Sequence, residues 1–405
     1  MRNSFRFYIL SVLAAAAVLA TACEKEPAAP DPDKGGGQAD MSGLTVDGQF
    51  PIVAWTGIDV ADMDRKFGPM KECGANVYLG WYSSMDDVML ALDKAEAAGV
   101  KLIVKGDALM TDTENTVRMM MDHPALMAYH IEDEPEVSEF STLSEIVARI
   151  TAVDNAHPCY INLYPNWAWG DVDGYMSKVL QFYSEIPVRF LSFDHYPVYV
   201  KDGVSSLRPY WYKNLEDIRR VARAKNIPFW AFALALSHTI GDETYPIPTL
   251  AELRLQMFSN LVYGAQGFQY FTWWGVYQDA PTPVYERVRT VNEELQAMSE
   301  FFLGADVTGV WHTGEEIPYG TTALVSMPEG ISSLSVSGTG AVVSRIVKDG
   351  NTYVAVVNRD YQNAATLEIA FSSGAMKIDK QGYKAEAVSG SQVIGPGDMV
   401  LYQIK

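Results

Sequence analysis

From Pro51 onward the chain alternates short runs that are apolar almost throughout with longer segments that repeat apolar residues at helical spacing. The alternation continues for eight rounds. The short runs predict strands at Ile52–Thr56, Asn76–Gly80, Leu102–Lys105, Leu126–Ile131, Cys159–Leu163, Phe190–Asp194, Phe229–Ala233 and Gly267–Thr272. A strand without polar alternation is buried on both faces, the condition of a parallel sheet covered by helices. Between them, helical period runs over roughly 61–73, 84–98, 112–122, 139–154, 171–185, 208–225, 249–263 and 283–302. Start signals accompany several of these, among them Ser141-Thr142-Leu143-Ser144-Glu145 and Pro248-Thr249-Leu250-Ala251-Glu252. Eight such units, within 49–304, match the ~250 residues of a (β/α)8 barrel. An open doubly wound sheet is the competing layout, but no glycine-rich phosphate turn follows the first strand.

After about residue 305 the period changes to short alternating segments, at Ser333–Val336, Ala341–Ile346, Tyr353–Asn358, Ala365–Ala370, Ala385–Val388 and Met399–Ile404. Turn pairs such as Asp349-Gly350 and Pro396-Gly397 punctuate them. The expectation is a small antiparallel β-sandwich over 305–405. Its only tryptophan is Trp311, so it reads as a cover for the barrel's flank rather than a glycan-binding module.

Composition narrows the function. Lys and Arg number 31 against 50 Asp and Glu, and the formal charge of −19 argues against a surface that tracks phosphates. No nucleic-acid partner is expected, and a neutral substrate suits the chain better than a polyanion. Cys23, Cys73 and Cys159 are too few for a disulfide framework and lack the spacing of a zinc site, so no metal or cofactor is expected. Cys73 and Cys159 read as small buried hydrophobes toward the barrel's stability face.

Residues 1–22 join Arg2 and Arg6 to an apolar stretch from Phe7 to Ala20, and Ala20-Thr21-Ala22-Cys23 resembles a bacterial lipobox. That resemblance implies a cleaved leader over 1–22, a lipid on Cys23 and attachment to a membrane. The expected location is the envelope of a Gram-negative-type bacterium, at the outer-membrane surface or in the periplasm. Residues 23–48, with many Glu, Pro, Ala, Asp and Gly, read as a flexible tether.

Barrel enzymes place their chemistry at the C-terminal ends of the strands. Strand four ends Ala128-Tyr129-His130-Ile131-Glu132-Asp133-Glu134-Pro135. Three consecutive carboxylates repel one another unless some face apart or one keeps its proton, and simple alternation sends Glu132 and Glu134 one way and Asp133 the other. Glu134 is the candidate general acid/base. Strand six ends Ser192-Phe193-Asp194-His195-Tyr196-Pro197, where Asp194 offers a second carboxylate. Two carboxyl groups about 6.5–9.5 Å apart hydrolyse a glycoside with inversion, one protonating the leaving oxygen and the other activating water.

Asp133-Glu134-Pro135 resembles the Asn-Glu-Pro element of the large barrel clan of retaining glycoside hydrolases, in which the Glu is the acid/base. The strand-six segment is similar to clan members that set a polar and an aromatic residue beside the cleaved sugar. The resemblance covers the barrel and implies carbohydrate as substrate. The chain departs from the clan in two places: Asp133 stands where Asn is usual, and Phe229–His238, which contains the end of strand seven, has no carboxylate for the clan's nucleophile. Glu243 is the acid considered as a substitute.

Aromatic rings gather at the same predicted face: Trp55, Trp81, Trp167, Trp169, Trp273 and Trp274, six of the nine tryptophans. Broad rings pack on the apolar faces of sugars while neighbouring polar groups reach the hydroxyls. Lys105, Asp107, His130, Asp133, Asn162, Tyr164, His195, Tyr196 and His238 supply those polar and hydrogen-bonding positions. The expectation is a glycoside hydrolase without an obligate protein partner. A carbohydrate-binding lipoprotein on a barrel that has lost catalysis, and another hydrolase or a lyase on the same scaffold, remain open.

Overall fold

In the computed structural model, the described residues are Gly36, Gly37 and 39–405, so the leader, Cys23 and most of the tether lie outside them. Eight parallel strands form the centre: β1 (Ile52–Trp55), β2 (Val77–Trp81), β3 (Lys101–Lys105), β4 (Leu126–Asp133), β5 (Cys159–Leu163), β6 (Leu191–Phe193), β7 (Phe229–Leu234) and β8 (Gly267–Phe271). They are neighbours in sequence order, and β8 pairs back onto β1 with Ile52 opposite Phe268, which closes the ring. Around it run α1 (Met63–Glu72), α2 (Met85–Ala97), α3 (Thr113–Met120), α4 (Phe140–Val153), α5 (Tyr175–Glu185), α6 (Trp211–Lys225), α7 (Leu250–Tyr263) and α8 (Tyr285–Phe302). The fold is a (β/α)8 barrel followed by antiparallel sheets.

The apolar runs fold this way because both faces of each strand have a partner. On β5, Ile161 and Leu163 face the helices, while Tyr160 points inward among Val53, Trp55, Leu79, Ile103, Trp230 and Phe232. Thr249 and Glu252 cap α7 reciprocally, as their spacing predicts. The cap before α4 differs: Glu136 and Glu139 form the box, one turn earlier than Ser141 to Glu145 suggested.

The expected tether through residue 48 needs correction. Leu44 and Val46 are buried and join the interior cluster of the barrel, closing its N-terminal end. Two apolar side chains in an otherwise polar stretch thus extend the folded unit upstream of β1. Leu44→Ala is expected to cost roughly 2–5 kcal/mol, seen as a lower urea midpoint; an unchanged midpoint would show that the plug contributes nothing.

Two insertions rise above the strand ends. The hairpin Val198–Lys201/Val204–Leu207 and the short hairpin His238–Ile240/Glu243–Tyr245 pair through Thr244 and Val200 into one antiparallel sheet. It walls the mouth beside β6 and β7. The Asp202-Gly203 pair, both with positive φ, makes the first turn and is the sequence signal for this hairpin.

The C-terminal sheets are a six-stranded one ordered Asp306–His312, Ala341–Lys348, Asn351–Asn358, Met399–Ile404, Ala375–Ile378, Lys384–Glu386, and a three-stranded one ordered Ile331–Val336, Ala365–Phe371, Gly390–Ile394. Strands 306–312, 375–378 and 390–394 were not among the predicted segments. Val307, Val342, Ile346, Tyr353 and Leu401 share one continuous core with the barrel's outer layer, so the sandwich covers the flank.

Candidate active site

β4 breaks its own regularity where the chemistry begins. Its pairing with β5 slips between His130 and Glu132, and Glu134, just past the strand, takes a φ of 56°. A left-handed glutamate is a strained backbone position, stabilised here by the Glu134 N–H donating to the Asn162 carbonyl at 2.8 Å. The combination undoes the simple alternation expected from the sequence. Instead of facing apart, Asp133 and Glu134 both lie close to Asp194, which follows β6.

Asn162, at the inward end of β5, holds this cluster together. Its Nδ2 donates to Asp133 Oδ1 at 3.1 Å and to Asp194 Oδ1 at 3.2 Å. The amide is oriented from below. Trp55 Nε1 donates to Gln269 Oε1 at 3.2 Å, and Tyr160 donates to the same oxygen at 2.8 Å. Gln269 Nε2 then donates to Ser192 Oγ at 2.9 Å, and Ser192 donates to Asn162 Oδ1 at 2.8 Å. With Oδ1 committed to Ser192, Nδ2 must face the carboxylates. Ser192, Gln269 and Tyr160 were not predicted as site residues; the available signal was a polar or hydroxyl-bearing side chain at an inward position of an apolar strand.

The Glu134 and Asp194 carboxyl groups lie against each other, and the Tyr196 hydroxyl is adjacent to Asp194. The two carboxyl groups are therefore far closer than the inverting separation. Burial, then the neighbouring Asp133 charge, pushes Glu134 up to about 7. Burial, with the charges of Glu134 and Asp133, holds Asp194 well above the usual carboxylate range. The pair thus keeps at least one proton at neutral pH, as mutual repulsion in a poorly solvated site requires. Asp133 retains solvent-exposed surface at the opening; burial raises it too, opposed by Asn162 and Lys105.

Other predicted residues fall into three groups. Trp81 is 58% exposed with the Lys105 ammonium 5.3 Å over its ring, and Trp274 is 44% exposed, so both offer open faces at the rim. Near Trp274, Leu236, Ile247, Gln278 and Pro281 line a groove of about 600 Å³. Tyr164 is half-buried at the end of β5, close enough to feel the Glu134 charge, and His238 stacks on Tyr245 at 4.6 Å. Trp55 and His130 form a buried floor, their rings 5.6 Å apart, with burial holding His130 well below its ordinary pKa and hence neutral.

The third group does not present itself as expected. Trp273 is 1% exposed and stacks on Tyr277, which removes its faces from the mouth. His195 is buried with Nδ1 2.9 Å from Asn214 Oδ1, part of the wall rather than a substrate contact. Trp169 packs into the core between Phe140 and Tyr175, while Trp167 lies 5.0 Å from the Arg208 guanidinium. Glu243 is tied to Arg208, and Asp107 is exposed at the start of a short helix, Asp107–Thr111.

Among the described residues, Asp93, Glu96 and His123 form a group with metal-ligand spacing on the surface. His123 Nδ1 already accepts from the Ala125 N–H at 3.1 Å, which leaves the proton on Nε2, directed at Asp93 at 3.1 Å. This is a satisfied hydrogen-bond set, and it lies away from the strand ends that carry the carboxylates. No described helix is long and apolar enough to cross a membrane.

No family model and no curated protein matches the sequence. Among solved structures, a γ-CGTase from alkalophilic Bacillus clarkii resembles the chain at TM-score 0.49 and 7% identity, over 90% of this chain and 71% of its own. The active domain 2 of a thermostable chitinase from Pyrococcus furiosus gives 0.44 and 9%, over 64% and 97%. A truncated 3-deoxy-D-arabino-heptulosonate 7-phosphate synthase from Thermotoga maritima gives 0.39 and 10%, over 63% and 88%.

Proposed function

We propose that the chain is a glycoside hydrolase acting with retention on a neutral oligo- or polysaccharide, with Glu134 as general acid/base and Asp194 as its partner carboxylate. The carrying observation is the contact between these carboxyl groups at the strand ends, with Glu134 raised to about 7. An acid with that affinity for its proton can protonate a leaving oxygen near neutral pH and take a proton back from water. A contact pair is closer than the ~6.5–9.5 Å that inversion uses to seat a water between the carboxyl groups. Exposed Trp81 and Trp274 provide platforms for sugar rings on either side. Attachment through Cys23 to the outer-membrane surface or periplasmic face belongs to the same proposal and rests on the lipobox pattern.

The test is incubation of the mature chain with a panel of plant, algal and host glycans, following the first-formed anomer by NMR. Retention is expected; an inverted product would overturn the proposed roles of the contact pair. The carboxylate-free end of β7 favours one second reading, a carbohydrate-binding lipoprotein. Binding that survives Glu134→Gln, with no turnover of any glycan, would select it.

A further inference from the structure

We infer that the nucleophile is supplied by the substrate: the site takes 2-acetamido-2-deoxy sugars, with Asp194 and Tyr196 holding the acetamido group while its carbonyl oxygen attacks the anomeric carbon. This rests on the glycosidase reading above and adds the substrate class. The first ground is that the end of β7 offers no carboxylate to the site. Residues 229–238 contain no carboxylate, and the next acids, Asp242 and Glu243, are paired with Lys201 and Arg208 on the inserted hairpins.

The second ground is the setting of Asp194. Asn162 donates to it at 3.2 Å and Glu134 lies against it, so part of its acceptor capacity is already taken by neighbouring groups. A carboxyl group already held by neighbours and poorly solvated is a weak nucleophile, yet it keeps lone pairs for a further hydrogen bond. The third ground is complementarity. An acetamido group has one N–H to donate and one carbonyl to be steadied, and a carboxyl oxygen of Asp194 and the adjacent Tyr196 hydroxyl match those needs. Phe271, stacked on Tyr196 at 5.8 Å, and His238, edge-on at 6.0 Å, provide aromatic surface for the methyl group.

The step balances without another reagent. The acetamido oxygen forms a bond to the anomeric carbon as the glycosidic C–O bond breaks, and Glu134 gives its proton to the departing oxygen. Asp194 accepts a hydrogen bond from the N–H of the resulting oxazolinium ion. Water then adds to the anomeric carbon, Glu134 takes its proton, and the amide is restored with net retention.

The test compares aryl β-glycosides of N-acetylglucosamine and N-acetylgalactosamine with those of glucose and galactose, using the unaltered mature chain. Turnover confined to the acetamido sugars is expected, falling about 100-fold or more when the acetyl group is replaced by trifluoroacetyl, because a less basic oxygen attacks more slowly. Asp194→Gly is expected to remain inactive in the presence of azide. Equal turnover of the plain glycosides, insensitivity to fluorination, or azide rescue with formation of a glycosyl azide would each overturn the inference while leaving the glycosidase reading standing. No turnover of any glycoside, here and on the glycan panel, would remove the glycosidase reading and this inference with it.

Discussion

Glu134→Gln is expected to lower kcat/KM on a natural glycan by about 10²–10⁴-fold, the usual contribution of a positioned acid/base. The loss should be smaller on an aryl glycoside whose leaving group needs little protonation. Folding can be separated from chemistry in the same variant through pH. Burial and the Asp133 charge raise folded Glu134 to about 7 from an ordinary value of 4.5. A raised group contributes its stability below the unfolded value and loses it as pH rises through the folded one. The wild type is thus expected to lose activity on the alkaline side of about 7, as the acid loses its proton. Relative to the wild type, Glu134→Gln should gain melting temperature between pH 5 and pH 8, because glutamine carries no charge to bury. An inactive variant with that pH-dependent gain identifies a folded protein lacking its acid; full activity would remove Glu134 from the mechanism.

The strain at Glu134 explains why the barrel was easier to read than its site. Each strand announces itself because both faces are apolar, and β5, Cys159–Leu163, lies where its run predicts. The mouth departs from periodicity. A slipped register followed by a left-handed residue turns Asp133 and Glu134 toward Asp194, and neither event follows from the alternation of apolar and polar positions. Gln269 was hidden differently, as one polar letter in Gly267–Phe271 whose three partners come from β1, β5 and β6. Trp273 and Trp274 are adjacent in sequence, yet one ring enters the core and the other faces solvent. Proximity to a strand end selected both, and the direction of the following short helix separated them.

Deletion of residues 305–405 is expected to abolish cooperative folding of the barrel, rather than release a smaller active enzyme. The reason lies in α6 and α7. Their buried positions run almost continuously, from Trp211 to Ala222 and from Glu252 to Tyr263, whereas a surface helix buries only one stripe. Part of their outer surface is closed by the sandwich. His312 Nε2 lies 2.7 Å from the Tyr263 hydroxyl, Ser344 donates to the Val262 carbonyl at 2.8 Å, and the Val307 carbonyl accepts from buried Arg219 at 3.2 Å. Removal would leave these polar groups to rearrange or find water beside newly exposed aromatic rings, at roughly 1–3 kcal/mol for each lost partner, a sum comparable with the roughly 5–15 kcal/mol by which domains are usually stable. The first readouts are soluble yield and the sharpness of the circular-dichroism melt. A truncated chain with the full-length melting temperature would make the sandwich an independent module; collapse of the melt, with no soluble barrel, would make it part of the structure that α6 and α7 need in order to fold.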